Sequence, residues 1–175
     1  MFWRGVILSV VAGLLTGCVS DKAGLDYATT AQRIGPPKAG QSRIVVISEK
    51  AEGLGLDAAV CDVKVDGGAP SRLKPGTYIY VDRPAGRHQL AATQTLFPGD
   101  TKRDVVTESG RTHFFLAKNS DRSRALTGMS IIGGLAGAVV ASAATAGSDN
   151  PGPVDLYPLD EAAARTTLAG LQLAE

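Results

Sequence analysis

Apolar and polar positions change period several times along this chain, and each change marks a predicted element. Arg43–Ser48 carries four consecutive β-branched residues, Ile44 to Ile47, a run that suits a strand buried on both faces. Ala58–Asp66 alternates instead, with Cys61, Val63 and Val65 on one side and Asp62, Lys64 and Asp66 on the other. That is the pattern of a half-buried strand. Thr77–Asp82 places Tyr78 and Tyr80 on one face and Ile79 and Val81 on the opposite one, and Arg87–Thr95 continues as a strand. Phe97-Pro98-Gly99-Asp100 reverses the chain. Lys102–Glu108 and Thr112–Ala117 are then expected to pair as a hairpin across Ser109-Gly110.

Turn residues punctuate these runs at Asp66-Gly67-Gly68, Lys74-Pro75-Gly76 and Arg83-Pro84-Ala85-Gly86. Pro75-Gly76 and Pro98-Gly99 have the residue order of type II turns, in which glycine supplies the positive φ. Short strands at this spacing predict a mainly β domain over residues 43–118, a small antiparallel β-sandwich or partly open barrel. No segment of helical length separates these strands, which excludes a parallel βαβ sheet.

The flanks have other periods. Val6–Leu15 is an apolar run preceded by Arg4 and followed by the small residues Thr16 and Gly17, the layout of a processed export signal over residues 1–17. A run of ten residues falls short of the ~20 that a membrane-spanning helix needs. Leu15-Thr16-Gly17-Cys18 is similar to the bacterial lipobox, a resemblance that makes Cys18 the first mature residue and the lipid carrier, held to the membrane by its acyl chains. In that class an Asp after the cysteine favours the inner membrane. Val19 stands here, so the resemblance favours the outer membrane, with the domain facing the periplasm. Residues 18–42, with Gly35-Pro36-Pro37, read as a lipidated terminus and flexible linker in which Leu25–Ala28 could dock as a short helix.

Beyond the strands, Ala125 to Ser148 contains no charge. As one helix it would be ~36 Å long at ~1.5 Å per residue. Gly133, Gly137 and Ala141 form one column of small residues at a spacing of four, and Gly134 opens onto an adjacent one, a surface for close helix packing. Three readings stand for this Gly/Ala-rich helical insert over 122–148: membrane insertion or self-association through 125–147, a helix or helical hairpin packed on its own domain, and a flexible loop. Residues 153–175 complete the domain with a last strand at Val154–Tyr157 and a C-terminal amphipathic helix. Asp160 is its predicted N-cap, and Ala164, Leu168 and Leu171 form its apolar face.

The 175 residues suffice for one domain with appendages, and the formal net charge of +1 gives no reason to expect a nucleic-acid partner. With Cys18 acylated, Cys61 is expected to be a small core residue. Gly53-Leu54-Gly55-Leu56-Asp57-Ala58 matches a dinucleotide fingerprint on paper, but strand follows where a helix is required, so it reads as a loop. No cofactor or metal is expected. His88 and His113, the two histidines, lie in predicted strands, and a metal site would require Asp66, Asp82 or Glu108 to converge on them. Tyr78 and Tyr80 with His88 and His113 form the candidate ligand surface.

Ile44–Ile47, Val65-Asp66-Gly67, Pro75-Gly76-Thr77-Tyr78 and Asp82-Arg83-Pro84-Ala85-Gly86-Arg87-His88 together resemble bacterial domain of unknown function 2846, over a span from about Arg43 to the C-terminus. Glu49-Lys50 departs from the Arg-Pro that often follows the first strand there. The V-D-G, G-x-Y and P-x-G-x-H-x-L order is also similar to PEGA-type surface β modules. The resemblance implies a fold and no activity. The expected function is therefore that of a lipid-anchored cell-envelope protein, a structural or protein-interaction module without catalysis; a small-ligand or glycan-binding envelope module is the alternative.

Overall fold

The computed structural model describes residues 24–53, 58–95, 97, 99–144 and 152–174. Cys18 and the expected signal lie outside the described residues, as do Leu54–Asp57 of the glycine-rich loop. In chain order the elements are α1 (Tyr27–Ile34), β1 (Gln41–Ser48), β2 (Cys61–Val65), β3 (Ser71–Leu73), β4 (Thr77–Pro84), β5 (Gly86–Thr93), β6 (Thr101–Thr107), β7 (Thr112–Asn119), α2 (Asp121–Ala144), β8 (Val154–Leu159), α3 (Glu161–Leu168) and β9 (Gln172–Leu173). The protein is mainly β, with two sheets that do not close into a barrel. One sheet has the order β8-β7-β1-β4-β9 and the other β3-β2-β5-β6.

β1 lies in the middle of the larger sheet and is buried along nearly its whole length. Ile44 and Val46 point into the core between the sheets, where they meet Cys61, Val63, Leu73 and Leu90. Val45 and Ile47 point the other way, into a second core with Tyr78, Phe114, Ala164 and Leu168. The β-branched run thus serves two cores, and the architecture has three layers: small sheet, large sheet, helices. β4 follows its predicted alternation, with Tyr78 and Tyr80 on the helix side and Ile79 and Val81 on the inter-sheet side.

The expected hairpin of the two strands around Ser109-Gly110 does not form. β6 pairs with β5 at the edge of the small sheet, whereas β7 pairs with β1 in parallel and with β8 antiparallel. Residues 108–111 cross from one sheet to the other, held by Gly110 N–H donating to the Gln41 carbonyl (2.7 Å) and Arg43 N–H to the Arg111 carbonyl (2.9 Å). The burial of each strand explains the choice. β6 alternates and leaves Lys102, Asp104 and Val106 in solvent, which suits an edge. β7 is buried at four consecutive positions, Phe114 to Ala117, which demands a central place with both faces covered. The sandwich is consequently not purely antiparallel: β1–β7 and β4–β9 are parallel pairs.

The helix layer is more extensive than the sequence suggests. The stretch expected to be linker carries α1, capped by the Asp26 carboxylate accepting Thr29 N–H at 2.9 Å. Tyr27 packs edge-on against Tyr78 and Phe114, with ring centroids 5.6 and 6.0 Å apart. The fully buried Tyr78 hydroxyl donates toward the Leu25 carbonyl (3.0 Å) and lies 2.6 Å from the Thr30 hydroxyl. On the C-terminal side Asp160 caps α3 by accepting Ala163 N–H at 2.8 Å, as expected. The helix stops at Leu168, short of the Leu171 expected on its apolar face, because Ala169 is extended and Gly170 has φ +80°. Leu171 reaches the second core from this loop, and the chain then adds β9, an unforeseen strand beside β4.

Tyr78→Phe leaves Thr30 and Leu25 short of a partner in a covered site, so a loss of ~1–2 kcal/mol is expected in urea unfolding. Amide exchange should quicken in α1 well before it quickens in β1.

Candidate functional site

The sequence nominates Tyr78, Tyr80, His88 and His113 as a ligand surface, and the fold does not bring them together. Tyr78 is fully buried as the post on which α1 rests. Tyr80 lies beneath Arg43, whose guanidinium carbon is 5.4 Å from the ring centroid. Arg43 is itself almost enclosed, 4% exposed, and forms a two-pronged pair with Asp82 through Nε (2.7 Å) and Nη2 (2.8 Å), while Nη1 donates to the Gly35 carbonyl (2.7 Å). The bonded Asp82 carboxylate raises the Arg43 pKa above its ordinary value. β1 and β4 place these partners directly opposite one another, Arg43 on Asp82, so the pair is a product of strand register.

Beside it runs a groove of about 490 Å³ between α1, the start of β7 and α3, lined in part by Tyr27, Pro36, Arg111, His113, Glu161 and Arg165. Its cations are already matched: Arg43 with Asp82, Arg111 with Glu108 (3.0 Å) and Arg165 with Glu161 (2.6 Å). His113 accepts the Glu108 backbone N–H at Nε2 (3.0 Å), and burial holds its pKa below the usual histidine value. The ring is thus placed to terminate β6 and β7, with its acceptor nitrogen occupied.

His88 lies on β5 in the other sheet and belongs to a separate cluster. Its side chain is 8% exposed, with Nδ1 2.7 Å from Asp66 Oδ2 and Nε2 2.7 Å from the Pro84 carbonyl oxygen. Asp66 also accepts the Gln89 N–H (2.9 Å) and lies 3.8 Å from Arg83 Nε. Partial burial acts to raise the Asp66 carboxyl, but the Gln89 N–H, His88 and Arg83 together hold it below its ordinary value. Among the described residues Asp66 alone combines a side chain with positive φ (54°), and Gly67 follows at 69°. These are the two positive φ values of a type I′ turn, closed by Gly68 N–H to the Val65 carbonyl at 3.0 Å. Asp66 therefore clamps the turn after β2 onto the segment where the chain crosses from β4 in the large sheet to β5 in the small one. Of the acidic groups proposed to converge on the histidines, Asp66 serves His88, Glu108 serves His113 through its backbone, and Asp82 serves Arg43. No group of three metal-ligating side chains gathers among the described residues.

Cys61 is fully buried between the sheets, where burial pushes its thiol up to about 12. The small-residue column is interrupted: Gly134 has φ 57° and ψ −144°, a break inside α2. Gly133, Gly137 and Ala141 lie within α2, but a packing face made of them lies outside what is described. Sequence reasoning missed a feature at the root of this helix. The Ser120 hydroxyl accepts Ser123 N–H (3.1 Å) and donates to the Gly152 carbonyl (2.8 Å), while Ser120 N–H donates to the Pro153 carbonyl (3.0 Å). A side chain on Gly152 would collide with Thr101, whose hydroxyl donates to the Val154 carbonyl. The outgoing and returning strands of chain are thereby fastened at one neck. Signals for it were present in Ser120 before a helical run and in Pro151-Gly152-Pro153.

These features define a three-layer β-sandwich scaffold whose histidines and buried arginine fasten turns and strands to one another. The chain belongs to the family described as Protein of unknown function (DUF2846), whose model matches residues 38–129, just over half of the chain. The match runs from before β1 through β7 into the first turns of α2, and so ends short of the C-terminus expected for it. Searches of curated proteins and of solved structures returned no match. The four segments that carried the resemblance in the sequence have mechanical roles: Ile44–Ile47 at the centre of the large sheet, the Asp66 turn, the Tyr78 post, and the Arg83–His88 crossing between the sheets that Asp66 grips.

Asp66→Ala removes the carboxylate and puts alanine at positive φ, with an expected loss of ~2–3 kcal/mol in urea unfolding, whereas Asp66→Asn, tolerant of that φ, should lose less. Because the Asp66 pKa is lowered by folding, its contribution is complete above the unfolded carboxyl value of about 3.9 and vanishes as pH falls through the lower folded value. The gap in stability between the natural protein and Asp66→Asn should accordingly shrink as pH is taken from about 6 to about 3.

Proposed function

We propose that the protein is a lipid-anchored component of the bacterial cell envelope, held in the outer membrane facing the periplasm, and that it acts as a structural or protein-interaction module without catalytic activity. The observation that carries this reading is the sequence Leu15-Thr16-Gly17-Cys18 behind Arg4 and the apolar run Val6–Leu15. The folded domain supports it chemically. The thiol of Cys61 is sealed in the core and raised to about 12, and both ring nitrogens of His88 face structural acceptors. His113 is likewise occupied. A general base must be able to reach a substrate proton, and both ring nitrogens of His88 and Nε2 of His113 are directed at groups of the protein itself.

The glycan-binding reading loses its main support with Tyr78, since a fully buried ring cannot stack on a sugar. The outer face of the small sheet instead shows polar side chains tied among themselves, such as Arg72 with Asp62 (3.1 Å) and Gln89 with Asp104 (3.0 Å). That face is an ordinary solvated one.

Expression in a bacterium fed an alkyne-bearing palmitate tests the anchor directly. The natural chain should take up the label and partition with detergent, and Cys18→Ser should lose both properties. Equal labelling of the two, or none in either, overturns the proposal.

A further inference from the structure

We infer that the first half of α2 is a second membrane contact, in which the exposed side chains of Met129, Ile131 and Ile132 lie in the surface layer of the bilayer that holds the acylated Cys18. This deepens the lipid-anchor reading and rests on it.

The side chains themselves are the first ground. Ile131 is 69% and Ile132 86% exposed, with Met129 at 39% one turn away, whereas Leu126 at the root of the helix is buried. Large apolar groups left open together mark a surface that something else covers. Val106, equally exposed on β6, shares its face with Lys102 and Asp104 and is an isolated apolar group on a polar edge.

The placement of the helix identifies the occupant. β7 ends at Asn119 at the same end of the large sheet where β1 finishes at Ser48 and β4 begins at Thr77. The N-terminal chain meets the domain near that end too, where Leu25 accepts Leu173 N–H (2.7 Å) and Asp26 bridges to Gln172 beside Thr77. β7 and β9 are separated by β1 and β4, so the two points of departure lie ~15 Å apart at ~4.8 Å per strand. Six residues lead from Cys18 to Gly24 and reach at most ~20 Å. Along a helix, Ile132 lies ~17 Å from Asp121. A domain tethered this closely holds its α2 end within reach of the same bilayer.

The contact lies along the surface and does not cross. Among the described residues no helix is long and apolar enough to cross a membrane. Gly134, at φ 57°, breaks the helix two residues beyond Ile132. Ser120 joins the departing chain to Gly152 and Pro153 of the returning chain, so the excursion comes back to the side it left. Shallow burial of a few apolar side chains adds to the hold of an acyl group, which is the manner in which two weak signals make a stable attachment.

The test uses full-length chain purified from expressing bacteria, with Ile132→Cys or Val106→Cys carrying an environment-sensitive nitrobenzoxadiazole probe. Both replaced side chains are exposed and Cys61 is buried, so neither the core nor the labelling is disturbed. The chain is placed in vesicles of phosphatidylethanolamine and phosphatidylglycerol containing a phospholipid with a shallow doxyl quencher. The mass of the N-terminal peptide reports acylation of Cys18 separately. The probe at position 132 should shift to the blue and lose most of its emission to the quencher, while the probe at 106 stays as in water. If acylated chain shows the 132 probe behaving like the 106 probe, the contact is overturned and the anchor stands. A 132 probe that escapes the quencher while Ile132→Cys chains form disulfide-linked pairs also overturns it, in favour of a second copy of the chain. Absence of the acyl mass overturns the anchor, and with it the doubly held domain.

Discussion

The double burial of β1 is the constraint on which the other layers depend. Four successive β-branched side chains send Ile44 and Val46 one way and Val45 and Ile47 the other, so apolar partners are required on both faces of the strand. On one side the small sheet meets this demand; on the other, α1 and α3 do. Neither cover is dispensable in physical terms, because exposing either face would return a set of large apolar groups to water at ~25 cal/mol per Å². β-branched residues also lose little rotamer freedom on being fixed in a strand, which makes them economical at the most ordered place in the fold.

The two ends of the sandwich are built by different means. At one end, polar side chains link elements across the sheets: the Ser42 and Thr107 hydroxyls lie 2.7 Å apart in the interior, and Asp66 joins His88, Gln89 and Arg83. Each group there has partners, as buried polar groups must if they are not to cost stability. At the other end, backbone turns and the neck around Ser120 and Gly152 close the structure. Fastening α2 at a neck isolates it mechanically, since the helix beyond Leu126 can change partners without breaking a strand pairing.

Much of this was legible in the sequence, and the parts that were not share a cause. Periodicity located β1, β2, β4, β5 and β8, named Asp160 as a cap, and assigned the faces of Tyr78 and Tyr80. It placed the strands before and after Ser109-Gly110 correctly but joined them wrongly, because a turn between sheets and a turn within one use the same residues. Only the burial demanded by Phe114–Ala117 separates the alternatives, and that demand depends on neighbours distant in sequence. The ion pair of Arg43 with Asp82 was hidden for the same reason, being created by the register of β1 on β4. His88 and His113 could be named as polar residues in strands, but which sheet each would join was not local information. Tyr78 is the instructive miss: an aromatic in alternation suits a binding surface or a core equally well, and the helix that decided between them came from a stretch whose prolines and glycines read as linker.

What the domain leaves uncovered bears on where its activity can reside. The outer face of the small sheet is polar apart from the isolated Val106, and the outer face of the large sheet lies under α1 and α3. The groove between those helices holds arginines already matched to carboxylates, so an incoming anion would have to displace a bonded partner. Binding there would begin with a loss. α2 is under no such restraint, because its exposed apolar side chains have nothing to surrender but water. A scaffold whose charged side chains are largely paired with one another, and whose exposed Met129, Ile131 and Ile132 sit together on one fastened excursion, is suited to positioning that excursion; among the described residues, this is where large apolar side chains stand exposed side by side.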